Sequence, residues 1–306
     1  MRLEGMHHAS MITGRAQGTI DFYVGVMGLR MVKKTVNFDD PGAYHLYFGD
    51  EQGAPGSILT WFEYPGAARG TAGAGMIHSL LLGVPDAGAI DFWQQRLEEL
   101  GVPAAREGDR LHLNDHDGLG LQLVVADPRN PPLRAVHPEV PGEFAITGVE
   151  GARAYPLGDA SADHDLLTRT LGFDEVAGGE YLVRGDERVF RWGYDPAPGQ
   201  GRPGAGTVHH IAWHSRDEDH LAWRQRVHMA GEYVTPVIDR DYFDAIYFRP
   251  MQGILFEIAT TSPGFAVDEP ADRLGESLCL PAQYERLRPA LDQRLAPLDA
   301  RRPRAA

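Results

Sequence analysis

The stretch MHHASMITG (residues 6–14) decides the fold, because its histidine doublet returns about 200 residues later in TVHHIAWHS (207–215). Four of the 13 histidines fall in these two doublets, and each doublet opens a short apolar run of strand character. Outward from the first, HHASMIT is followed by GRAQGTIDFYVGVMGLR, where Ile20, Phe22, Tyr23, Val24, Met27 and Leu29 recur at helical spacing. Three strand-like pieces come next: RMVKKTVNF, YHLYFGD and SILTWFEY. The order strand, helix, strands starts again at MIHSLLLGV, at ITGVEGARAYPL and at TVHHIAWHS. Each helix closes on a glycine-containing turn: MGLR, LGVP, LGFD and AGEY.

The expected class is therefore α+β, with four βαβββ modules in two domains of two modules each. The modules span residues 1–65, 75–126, 146–198 and 207–262. They form an N-terminal domain (1–126) and a C-terminal domain (146–262). A linker over 127–145 separates them, and its stretch 127–142 holds five prolines. A helical tail over 263–306 follows, with Tyr284, Leu287, Leu291 and Leu295 near helical spacing. The glycine-rich pieces GAARGTAGAG (66–75) and GQGRPGAG (199–206) lack the Lys-Ser/Thr ending of a phosphate loop and read as flexible connectors.

Composition narrows the function classes. With 29 basic and 43 acidic residues, the net charge of −14 disfavours nucleic acid and anionic membranes as partners. The single cysteine, Cys279, rules out an internal disulfide, fits a reducing compartment and reads as a buried thiol rather than a nucleophile. No apolar run reaches the roughly 18 residues of a membrane span, and no signal peptide is visible, so the expected location is cytoplasmic. The ending RRPRAA (301–306) reads as a solvated basic tail.

The repeat also defines equivalent positions. GMHHAS against GMIHSL pairs His8 with His78; His210 takes that place in module four and Glu150 in module three. In the last strands, Thr60, Gln122 and Glu257 each stand four residues after a glycine (Gly56, Gly118, Gly253). Modules one and four thus contribute His8, His210 and Glu257, with Thr60 as a non-ligand. Modules two and three offer the poorer set His78, Gln122 and Glu150. Two imidazoles and one carboxylate form the facial triad of non-haem Fe(II) oxygenases, which leaves coordination positions open. A carboxylate inside the apolar strand ILFEIAT must be neutralised or coordinated. A structural ion pair of Glu257 with Arg240 or Arg249 is the competing reading.

HHASMITGRAQGTIDFYVGVMGLRMVKKTVNFDD, YHLYFGDEQGAPGSILTWFEYP, HHIAWHS and DRDYFDAIYFRPMQGILFEIAT together resemble the vicinal oxygen chelate superfamily. Within it they resemble the ring-cleaving dioxygenases of hydroquinone type, with the glyoxalase and extradiol dioxygenase fold. The resemblance implies one Fe(II), with Mn(II) as the alternative, held by His8, His210 and Glu257. It implies that His7 and His209 line the substrate pocket and serve in catalysis. It further implies that Arg240 contacts substrate or a developing oxyanion and that Tyr247 lies beside the metal. Ser10 stands where related sequences often carry threonine, and keeps the hydroxyl for substrate binding. Thr60 in the fourth place separates the chain from glyoxalases, which put a ligand there. The implied partners are a small aromatic diol and O2, and a homo-oligomer is compatible with the sequence. The alternatives are catechol cleavage, a glyoxalase-type lyase or isomerase, and a non-catalytic small-molecule binding protein. One site built from modules one and four requires those two to pack together, leaving two and three as the other pair.

Overall fold

A computed structural model describes residues 1–176 and 179–299; the basic ending at 301–306 lies outside them. Module one runs β1 (Met6–Thr13), α1 (Ala16–Ile20), a wider π-helical turn (Asp21–Val26), β2 (Arg30–Val36), β3 (Tyr44–Gly49) and β4 (Ile58–Glu63). Module two runs β5 (Met76–Val84), α2 (Ala87–Glu99), β6 (Ala104–Glu107), β7 (Arg110–Asn114) and β8 (Gly120–Val125). Module three has β9 (Val149–Tyr155), two short helical turns, β10 (Asp174–Glu175), β11 (Glu180–Arg184) and β12 (Val189–Tyr194). Module four has β13 (Thr207–His214), α3 (His220–Met229), β14 (Ile238–Asp239), β15 (Phe243–Phe248) and β16 (Phe256–Pro263). This is the α+β arrangement of four βαβββ modules.

Two eight-stranded sheets result. One has the order β14-β15-β16-β13-β1-β4-β3-β2, the other β10-β11-β12-β9-β5-β8-β7-β6. Module one therefore shares a sheet with module four, and module two with module three. In each sheet the two first strands meet antiparallel at the centre, β1 on β13 and β5 on β9, with a parallel last strand outside each. All five tryptophans, Trp61, Trp93, Trp192, Trp213 and Trp223, lie in the main apolar core. A smaller cluster includes Val32, Tyr47, Ile58, Tyr242 and Phe243, drawn from modules one and four.

The glycine-rich connectors differ from the flexible pieces expected. They pair with each other through bridges Arg69 to Ala205, Thr71 to Arg202 and Ala74 to Gln200. A Cβ at Gly73 would sit 2.3 Å from the Gly201 nitrogen, so close backbone approach accounts for glycine there.

The tail forms a 3-10 segment (Ala282–Leu287) and then α4 (Arg288–Arg294). Its Leu291 and Leu295 are buried in the core. Side-chain contacts tie the tail to module one. The Tyr284 hydroxyl donates to the Phe38 carbonyl at 2.7 Å. The fully buried Lys33 ammonium lies 2.5 Å from Asp268 Oδ1, 2.7 Å from Glu269 Oε2 and 3.7 Å from Cys279 Sγ.

Candidate metal centre

The register of the central strands explains the doublets. Met6 pairs with Trp213 but His8 with Ala212, so His7 is an extra residue in β1. Ser10 pairs with His210 but Met11 with Val208, so His209 is the extra residue in β13. Each doublet thus straddles a β-bulge, a device that re-aims side chains. His7 Nδ1 lies 2.9 Å from His8 Nδ1, and His209 Nδ1 lies 2.7 Å from His210 Nδ1. With Nδ1 occupied in this way, the Nε2 atoms of His8 and His210 converge to 3.3 Å.

Glu257 meets them from β16. Its Oε2 lies 2.9 Å from His210 Nε2 and 3.5 Å from His8 Nε2, and one ligand atom from each residue falls within 4.8 Å of the others. All three residues are buried, and Glu257 is 0% exposed. Neither of its carboxylate oxygens accepts a hydrogen bond of good geometry. Arg240 meets Asp39 and the Tyr247 hydroxyl instead, and Arg249 meets the Gly253 carbonyl, so neither neutralises Glu257 as a contact partner. A buried carboxylate facing two imidazole nitrogens fits a divalent cation bound at roughly 2.0–2.2 Å by N and O donors.

The triad lines a cavity of about 370 Å³. Ser10, His209, Arg240 and Tyr247 line it too, as do Phe62 and Phe243. Arg240 Nε donates to Tyr247 Oη at 3.1 Å, and its guanidinium stacks 5.2 Å from the Phe38 and Tyr247 rings. Burial and the charge of Glu257 push the Tyr247 phenol well above its ordinary value, so it stays protonated.

His7 is not among the lining residues. The bulge turns it behind His8, against Phe243 and His214 with ring centroids 5.0 and 5.9 Å apart. In its place stands His45, which sequence reasoning missed. His45 lines the cavity from β3 and continues a chain of contacts: Ser10 Oγ to Thr60 Oγ1 at 2.8 Å, Thr60 Oγ1 to His45 Nε2 at 2.9 Å, and His45 Nδ1 to the Tyr47 hydroxyl at 2.9 Å. The one signal for it was a polar residue inside YHLYFG, a strand buried on both faces.

Bulges also revise the internal alignment. In β5 the extra residue is His78, and in β9 it is Glu150. His78 therefore corresponds to the first histidine of a doublet, not to His8. The ligand places of the second sheet fall on Ser79, Gln122, Gly151 and Gly193, which make no metal site. His78 Nε2 sits 2.8 Å from Asp195, and Glu150 accepts from Asn130 and from the Asp127 backbone. Both are structural.

Burial, foremost, lowers the imidazoles of His7, His45, His209 and His210, taking His209 to about 4. In the unfolded chain they protonate near 6.5. Below that pH the unfolded state takes up protons that the folded state refuses, so stability falls as pH falls. The metal-free protein should therefore begin losing melting temperature between about pH 7 and pH 5, above the carboxylate range, in a thermal-melt series across that window.

A model of the Glyoxalase/Bleomycin resistance protein/Dioxygenase superfamily matches residues 5–129. A Bacillus subtilis protein named "Putative ring-cleaving dioxygenase MhqO" is 44% identical over 308 residues, 97% of each chain. The "Chlorohydroquinone/hydroquinone 1,2-dioxygenase" of Sphingobium indicum is 31% identical over 313 residues, 93% of each. A crystal structure of a "putative dioxygenase" from Bacillus subtilis superposes with a TM-score of 0.90 at 42% identity, covering 98% of this chain and 99% of that one. Full-length likeness, shared fold and module order converge: the chain belongs to the glyoxalase/bleomycin resistance protein/dioxygenase superfamily and, within it, to the ring-cleaving dioxygenases.

Proposed function

We propose that this protein is an Fe(II)-dependent dioxygenase that opens hydroquinone-type rings with O2, with iron held by His8, His210 and Glu257. The observation that carries the reading is the buried Glu257 carboxylate closing with two imidazole nitrogens on one point in the lining of a cavity of about 370 Å³. The name of the Sphingobium relative supports the para-diol class. Thr60, spent on contacts to Ser10 and His45, leaves three protein ligands and speaks against a glyoxalase-type centre.

When bound, iron supplies Lewis acidity toward a diol oxygen and a path for electrons between diol and dioxygen. The chain's own groups do the rest. Phe62 and Phe243 flank the ring in the cavity. His209, neutral over the physiological range, lines the cavity; with Nδ1 turned to His210 it carries its proton on Nε2 and donates that N–H to a substrate oxygen, and the substrate's own hydroxyl proton leaves to solvent. Arg240 and the protonated Tyr247 stabilise the phenolate oxygen. A proton order that satisfies each group runs from Tyr47 to His45 to Thr60 to Ser10, leaving the Ser10 hydroxyl to donate toward substrate. His7 and His209 accept from Nδ1 of His8 and His210 and so aim each Nε2 at the centre.

Two outcomes follow. Arg240→Ala should lower kcat/KM roughly 100-fold, and Arg240→Lys should recover only part, because lysine lacks the stacked planar fork. His7→Ala should weaken Fe(II) binding about 10- to 100-fold by titration with a chromophoric chelator, although His7 lines no part of the cavity.

The test of the function is oxygen consumption after anaerobic Fe(II) reconstitution, with hydroquinone, catechol and a hemithioacetal supplied separately. Uptake is expected with hydroquinone. No uptake with either diol, together with hemithioacetal turnover by the Zn²⁺-loaded protein, would refute the reading.

A further inference from the structure

A second cleft of about 200 Å³ lies beside the main cavity, and the two share His209, His210 and Leu255. Its other walls are largely aliphatic: Ile12 from β1, Ile77 from β5, Val208 from β13 and Ile254 before β16. Both central strands of the first sheet and the first strand of module two therefore frame it. Ile77, Val208 and Ile254 are buried, which gives the cleft fixed walls.

The two cavities differ in what they can hold. The main cavity offers Arg240, Tyr247, Ser10 and His45 to hydroxyl groups. The cleft offers aliphatic surface, with Arg249 and the imidazoles of the shared doublet as its charged or titratable groups. An aromatic diol in the cleft would find Arg249 and the shared imidazoles as partners, fewer groups than the main cavity offers, and each hydroxyl left without one costs roughly 1–3 kcal/mol. Dioxygen carries no charge and needs no hydrogen bond, and apolar cavities admit such small gases. A diol lying over the triad from the main cavity also leaves the cleft as a second approach to His210.

We propose that this cleft is the inlet for dioxygen, separate from the cavity that receives the ring. The proposal rests on the dioxygenase reading above. It assigns Ile12, Ile77, Val208 and Leu255 to oxygen delivery, and none of these was singled out by the sequence.

Two experiments test it. Crystals of the metal-loaded protein pressurised with xenon, an apolar gas probe, should show xenon between Ile12, Ile77 and Leu255. Xenon bound only in the main cavity, or nowhere in the cleft, would overturn the proposal whatever the activity. The half-buried Ile12 and Met76 at the cleft's edge allow narrowing without touching the triad. In Ile12→Phe and, separately, Met76→Trp, KM for oxygen should rise roughly tenfold, with KM for the diol and iron content unchanged. An unchanged KM for oxygen in both iron-replete variants would overturn the inlet alone. Absence of oxygen uptake by the wild type with every diol would overturn the dioxygenase reading, and the inlet with it.

Discussion

Glu257→Ala is expected to abolish stoichiometric Fe(II) binding and, with it, oxygen uptake. Removing a ligand should cost more than the roughly 10- to 100-fold in metal affinity that loss of a supporting contact does. The carboxylate is 0% exposed, and in the metal-free protein the imidazoles of His210 at 2.9 Å and His8 at 3.5 Å hold its charge against the cost of burial. The stability of the metal-free fold should therefore respond far less than metal binding does. Glu257→Gln, which keeps the shape and drops the charge, should melt close to metal-free wild type. Wild type should gain about 4 kcal/mol with metal at roughly 1,000 times its Kd, a gain the variant lacks. Anaerobic thermal melts with and without metal measure both. A variant that melts lower without metal yet keeps the full metal-induced shift would show that Glu257 is only a structural partner of the two histidines.

Lys33→Met should destabilise the protein by about 3–5 kcal/mol in urea unfolding, because it strips the cation from a buried site. Two carboxylates, Asp268 and Glu269, close on the Lys33 ammonium, and Glu269 also accepts from the backbone of Gly275 and Ser277. The Tyr242 hydroxyl donates to Asp268 at 3.0 Å, so the same group steadies a wall of the main cavity. Pro281 from the tail lines that cavity as well, and KM for substrate should rise with the loss of stability. Adding Glu269→Gln and Asp268→Asn to Lys33→Met should restore much of the loss, since removing all members of a buried ionic group costs far less than removing one.

The module plan was legible because each unit repeats the same periodicities, and the doublets marked the two central strands that pair in the first sheet. The meeting of His8, His210 and Glu257 within 4.8 Å follows from aligning those repeats. The same alignment slipped by one residue at His78 and Glu150. A bulge adds a residue to a strand without changing its composition, so register at that point is set by backbone pairing that spacing does not record. The orientation of His7 failed for the same reason. His45 was hidden because β3 is buried on both faces, which removes the alternation that would have marked an inward side. The tail's share in the cavity wall arises from contacts between residues more than 200 apart, such as Lys33 with Asp268.

The most direct measurement is mass analysis of the product formed from hydroquinone under isotopically labelled dioxygen by the Fe(II)-reconstituted protein. The expected result is a ring-opened acid carrying labelled oxygen, formed by wild type and absent with Glu257→Ala. An intact aromatic ring, labelled or not, or a ring-opened product still formed by Glu257→Ala, would contradict ring cleavage at a centre built from His8, His210 and Glu257.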